Sequence, residues 1–138
     1  MSVRPTPALA TVMTPFPYCI GAEASVQEAE AMMAEHAIRH LPVRRRGQID
    51  GLLSAEDLAL AGPDAGPVGD LCAPRPYIVD LVDPLYDVLE GMAERHAGAA
   101  IVLRRGKLAG ILTTTDICRA FAVLLGPPSA SPDDDQVA

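Results

Sequence analysis

The 138-residue chain has no tryptophan, two phenylalanines and three tyrosines, so any core must be built from Leu, Val, Ile, Ala and Met. Cysteine is as scarce: Cys19, Cys72 and Cys118 are odd in number, far apart and without a Cys-x-x-Cys pair. That supports neither a disulfide framework nor a thiolate zinc site, and the three are expected to be reduced thiols buried as small apolar residues. Positive charge is short too, with 11 Lys and Arg against 18 Asp and Glu and a net charge of −7, which argues against a nucleic-acid partner. Asp133, Asp134 and Asp135 supply three of the negative charges, so the remainder is only mildly acidic. No run of about 18 apolar residues exists to span a membrane, and the start has no signal-peptide core, so a cytoplasmic protein is expected. Gly-x-Gly-x-x-Gly, a Walker loop and a nucleophile elbow are all missing, so an enzyme is not expected.

What the chain does have, it has twice. Displaced by 59 residues, positions 12–61 align with 71–120 without a gap, and 14 of the 50 pairs are identical. Pro17/Pro76, Tyr18/Tyr77, Met33/Met92, Val43/Val102, Gly47/Gly106, Gly51/Gly110 and Asp57/Asp116 are among them. This is a tandem duplication, and two modules that each expose an apolar face are expected to pack together.

Each copy reads in the same order. Thr11–Pro15 and Asp70–Pro74 read as turns, and Pro17–Ile20 and Pro76–Val79 as short strands. Helices open at Ser25 and at Asp83-Pro84, with Val26, Ala29, Met33 and Ala37, then Leu85, Val88, Leu89 and Met92, on their core stripes. Two apolar runs follow, His40–Val43 with Ile49–Leu53 and Ala99–Leu103 with Leu108–Leu112, each pair joined by an Arg- and Gly-containing turn that signals a hairpin. The basic turn residues serve either as charged tips that keep strand edges soluble or as an anion patch. A helix closes each copy, about Ala55–Ala61 in the first; in the second Ile117, Ala120, Phe121 and Leu124 share one face. The expected divisions are a flexible start at 1–10, repeats at 11–61 and 68–125, a linker at 62–67 and a disordered acidic tail at 126–138.

The most informative stretch is Gly51-Leu52-Leu53-Ser54-Ala55-Glu56-Asp57, repeated as Gly110-Ile111-Leu112-Thr113-Thr114-Thr115-Asp116. A hydroxyl at a helix start, with a carboxylate three residues on, admits two roles. The pair can satisfy the first amides of the helix as a capping box. It can also seat a phosphate beside a carboxylate able to hold a ribose diol, because a carboxylate only accepts hydrogen bonds. His36 and His40 have a His-x-x-x-His spacing, but His40 falls past the helix end and no Glu follows His36, so no metal site is expected.

With Val12-Met13-Thr14-Pro15, Ile38-Arg39-His40-Leu41-Pro42-Val43 and both Gly-apolar-apolar-Ser/Thr-x-x-Asp stretches in register, the chain resembles a tandem pair of cystathionine β-synthase (CBS) domains, a Bateman module. The resemblance covers residues 11–125. It implies an α+β fold of two strand-helix-strand-strand-helix repeats packed with pseudo-twofold symmetry, and a homodimer. It further implies a regulatory protein that binds AMP, ADP, ATP or S-adenosylmethionine in clefts between the repeats and signals through a partner protein. On this resemblance Asp57 and Asp116 hold ribose hydroxyls and Ser54 and Thr113 approach phosphate. Adenine would lie near Tyr18, Ile20 and Pro42 in one cleft and near Tyr77, Val79 and Ile101 in the other, with Arg39 and His40 facing phosphates. In the second repeat the positions of Arg39 and His40 are Gly98 and Ala99, and Ile101 replaces the proline, so a phosphate contact in the second site requires charge arriving across the cleft from the first repeat. The alternative is a ligand-free structural or dimerisation module, in which the repeated motif only caps helices.

Overall fold

A computed structural model describes residues 6–73 and 75–128. The expected flexible start and acidic tail therefore lie in part outside the described residues, at 1–5 and 129–138. Regular structure begins before residue 11, with helix α1 (Leu9–Val12), whose Leu9 is buried. Strands β1 (Thr14–Pro15) and β2 (Ile20–Gly21) lead into α2 (Val26–His36), β3 (His40–Arg45), β4 (Gln48–Ser54) and α3 (Ala55–Ala61). A single tight turn at Val68–Asp70 precedes β5 (Ile78–Asp80), α4 (Leu85–Arg95), β6 (Ala99–Arg104), β7 (Lys107–Thr113) and α5 (Thr114–Leu125). Mixed helix and sheet, with one strand-helix-strand-strand-helix unit repeated, is the α+β class expected.

Local chemistry explains most boundaries. Ser25 accepts the Glu28 amide at 3.1 Å and starts α2, whose Val26, Ala29 and Met33 are buried one turn apart. Ala37, expected on that stripe, instead ends the helix in the left-handed conformation, as His96 ends α4. Asp83 does not cap α4; its carboxylate accepts the Asp80 amide at 2.9 Å. The two hairpins turn at Arg46-Gly47 and Arg105-Gly106, all with positive φ, the turn whose twist suits flanking antiparallel strands.

The segments read as turns do something more: each crosses to the other repeat. Thr14 pairs with Ile111 and Pro15 with Gly110, so β1 extends the second repeat's sheet to the order β1-β7-β6-β5. The equivalent Ala73 bridges Leu52 of the first repeat's sheet, β2-β3-β4. This exchange accounts for a glycine common to both copies. A Cβ on Gly110 would lie 2.9 Å from the Thr14 carbonyl oxygen, and one on Gly51 2.7 Å from Cys72 Sγ.

Two apolar clusters result, one with Leu41, Val43 and Leu53 under α2, the other with Ala100, Val102 and Leu112 under α4. Two expectations fail at the surface. Cys118 is exposed and Cys19 and Cys72 are half-buried, so none of the three thiols is a fully buried core residue. Phe121 and Leu124 on α5 remain 58% and 68% exposed, so the far end of that apolar face is left largely uncovered by the described residues. Among the described residues no helix is long and apolar enough to cross a membrane.

Candidate functional site

Both repeated motifs form complete capping boxes. Ser54 Oγ accepts the Asp57 amide at 3.0 Å while Asp57 Oδ2 accepts the Ser54 amide at 2.9 Å. Thr113 and Asp116 repeat this at 3.2 and 2.9 Å. Beyond the cap the two aspartates diverge. Asp116 is 6% exposed; its Oδ2 also takes the Thr113 hydroxyl at 3.0 Å, and its Oδ1 takes the Thr14 hydroxyl, delivered by the crossing β1, at 3.0 Å. The residue that crosses towards Asp57 is Ala73, which has no hydroxyl to give. Asp57 Oδ1 is left without a hydrogen-bond partner among the described residues.

Asp57 faces an open cleft of about 490 Å³ between the repeats. The first repeat contributes His40, Leu52 and Ser54 beside it; the other side is the Ala73–Tyr77 lead together with Arg95 and Ala97–Ala99. Tyr77 is held flat by Arg95, whose guanidinium lies 4.3 Å from the ring centroid and donates to the Gly91 carbonyl at 3.1 Å. Gly91 is required there, since a side chain would run into the Tyr77 hydroxyl. Gly98 lies across the cleft from His40, a Cβ on it reaching ordinary contact distance, 3.8 Å, from His40 Nε2. Burial lowers the pKa of His40, with neighbouring Arg39 acting the same way and Glu56 and Asp57 opposing, so its neutral form is favoured. The cleft thus offers one carboxylate acceptor, one aromatic face, two guanidinium groups and a histidine at its rim.

The sequence profile of the CBS domain family matches residues 9–64 and again 68–123, most of the chain. The chain belongs to the CBS domain family. Hypoxic response protein 1 of Mycobacterium tuberculosis is 28% identical over 108 residues, spanning 73% of this chain and 76% of that protein. The crystal structure of CBSX2 in complex with AMP has 26% identity and a TM-score of 0.75, covering 86% of this chain and 98% of that one. The CBS domain pair of protein MJ0100, in complex with methylthioadenosine and S-adenosylmethionine, has 22% identity and a TM-score of 0.78, covering 85% and 97%. The tandem CBS pair expected from the sequence is therefore the fold of this chain.

Within this CBS pair the residues singled out from the sequence are distributed unevenly. Ser54, Asp57, His40 and Tyr77 meet in one cleft, so His40 of the first repeat stands across from Tyr77 of the second. Ile20 and Val79 belong to the apolar clusters and Pro42 and Ile101 are fully buried in β3 and β6, so none of the four presents a face to the cleft. Arg39 points away to an ion pair with Glu56 at 2.6 Å, both partners mostly exposed, which also lowers the Glu56 pKa. Tyr18 stacks on His36 with centroids 3.6 Å apart, the first repeat's counterpart of Tyr77 on Arg95. Among the described residues no cluster of His, Cys, Asp or Glu could hold a metal ion. Arg75 and Arg95 are the functional candidates that sequence reasoning missed. The 59-residue register aligns Arg95 with His36, but that both lie on the Tyr18/Tyr77 pair is visible only in the structure.

Proposed function

We propose that this CBS pair is a regulatory protein that takes an adenosyl ligand, AMP, ADP, ATP or S-adenosylmethionine, in the Asp57 cleft. The observation that carries the reading is the unpartnered Asp57 Oδ1 beside the Tyr77 ring and two arginines. A ribose diol donates to the carboxylate, the adenine lies on apolar and aromatic surface, and an anionic group meets Arg75, Arg95 and His40. Ser54 Oγ, which accepts in its cap, keeps its own proton to donate to a phosphate oxygen. CBSX2 holding AMP, and the MJ0100 pair holding methylthioadenosine and S-adenosylmethionine, support the ligand class.

The Asp116 side supports the alternative, structural role. Its carboxylate is committed to its own cap and to Thr14, tying α5 to β1. The protein is thus a sensor in one cleft and a tether in the other. Its output passes to a partner protein in the cytoplasm, with the exposed Phe121 and Leu124 face of α5 available to pair two copies as a homodimer. Calorimetric titration with AMP, ATP and S-adenosylmethionine tests the reading. It should show one site per chain, lost in Asp57→Asn and kept in Asp116→Asn, and no heat with any of the three would overturn it.

A further inference from the structure

The two hairpin tips differ in a way that the duplication makes visible. In the first repeat Arg45 is neutralised: its guanidinium bonds Asp50 at 3.2 Å and the Gly69 carbonyl at 3.2 Å. In the second repeat Arg104 occupies the same position, but Ala109 stands where Asp50 would be, and Arg104 has no carboxylate partner among the described residues. Beside it are Arg105 and Lys107, likewise without an ion pair among the described residues.

These three cations border a cavity of about 410 Å³ whose remaining wall is apolar, with Met13, Phe16, Leu81 and Leu108, and no carboxylate lines it. The volume falls within the roughly 300–1,000 Å³ range of small-molecule sites. Phe16 is 87% exposed and held at φ 47°, in the left-handed region that a bulky residue rarely adopts, with its amide bonded to the Ala109 carbonyl at 3.2 Å. The residue equivalent to Phe16, in the lead that crosses onto the first repeat, is Arg75. Thus the tip of the second repeat, with the β1 lead crossing onto it, combines unpaired cations, an apolar floor and a projecting aromatic ring. In a protein of net charge −7 the long-range field does not gather anions, so any preference for one must be local.

We propose that this cavity is a second ligand site, separate from the adenosyl cleft, that takes a small amphipathic anion: an apolar chain or ring with a single carboxylate, sulfonate or phosphate head. The head would meet Arg104, Arg105 and Lys107, and the apolar body would lie on Leu81, Leu108 and Met13 beneath Phe16. The two cavities share no lining residue.

Fluorescence titration of the whole chain with anilinonaphthalene sulfonate at low ionic strength tests the site, with decanoate and decanol as competitors. Saturable binding of one dye per chain is expected, displaced by decanoate far better than by decanol. The double reversal Arg104→Glu with Lys107→Glu should weaken it by about tenfold or more, as loss of charge-assisted contacts would. Arg46→Glu on the first repeat's tip and Phe121→Ser on α5 should leave it unchanged, and circular dichroism melts confirm that each variant is folded. Decanol competing as well as decanoate, undiminished binding in the folded double variant, or loss in Phe121→Ser alone would overturn the proposal.

Discussion

Thr14 is the residue whose removal tests the division of labour between the clefts. Thr14→Ala deletes the hydroxyl that donates to Asp116 Oδ1 at 3.0 Å, where the carboxylate is 6% exposed. A hydrogen bond to a charged group contributes about 1.5–3 kcal/mol net. Arg119 stands 3.7 Å from the same oxygen but is 71% exposed, so solvent screening leaves it little ability to compensate. The expected destabilisation is about 1.5–2 kcal/mol, which for a domain of this size lowers the melting midpoint by roughly 5 °C. Urea unfolding measures the first quantity and calorimetric melting the second. The variant also frees Oδ1 of Asp116 as Ala73 leaves that of Asp57 free, so titration with AMP should rise from one site per chain towards two. The reciprocal change, Ala73→Thr, places a hydroxyl opposite Asp57 and should lower AMP affinity while leaving the second cleft as it is. A Thr14→Ala protein as stable as the parent, or an Ala73→Thr protein that binds AMP with unchanged affinity, would refute the reasoning.

Other outcomes follow from the same geometry. His40 has a lowered pKa, so the fold gains from its neutral form above the ordinary value near 6.5 and loses that gain as pH falls through the folded value; His40→Gln should flatten the acid limb of a urea-midpoint profile taken from about pH 7 to 5. A bound phosphate favours protonated His40, so AMP affinity relative to adenosine should depend less on pH in the same variant, as titrations at several pH values would show. Gly91→Ala forces the Tyr77 ring to move and should destabilise by about 1–3 kcal/mol in chemical unfolding while weakening AMP binding. Ser54→Ala removes the α3 cap and should lower stability by about 1 kcal/mol without ligand, and by more with AMP present because the donor to its phosphate is lost as well.

Much of the architecture was legible because it is local. The Ser25 cap, both capping boxes and both Arg-Gly hairpin turns are decided by residues within a few positions of one another, and the 59-residue duplication shows each of these local patterns except the Ser25 cap twice. The site was legible only in part. Ser54, Asp57, His40 and Tyr77 were visible as motif residues, yet their meeting in one cleft required the lead of the second repeat to cross onto the first. Ile20, Pro42, Val79 and Ile101 have apolar side chains that suit a binding surface and a core equally well, and burial sent them to the core or strand interior. Arg75 and Arg95 belong to no motif and gain their significance only from Tyr77 and the facing repeat.

The amino-acid order by itself determined two like halves, their helices, hairpins and caps, because capping, turn conformation and apolar periodicity act over a few residues. Tertiary structure alone decided which aspartate is available. Asp57 and Asp116 sit in the same motif, but β1 brings a threonine hydroxyl to Asp116 while the crossing Ala73 brings none to Asp57. Whether each carboxylate can accept from a ligand is set by a residue about 100 positions away in one case and by its absence in the other, a contact that exists only once the halves have exchanged strands.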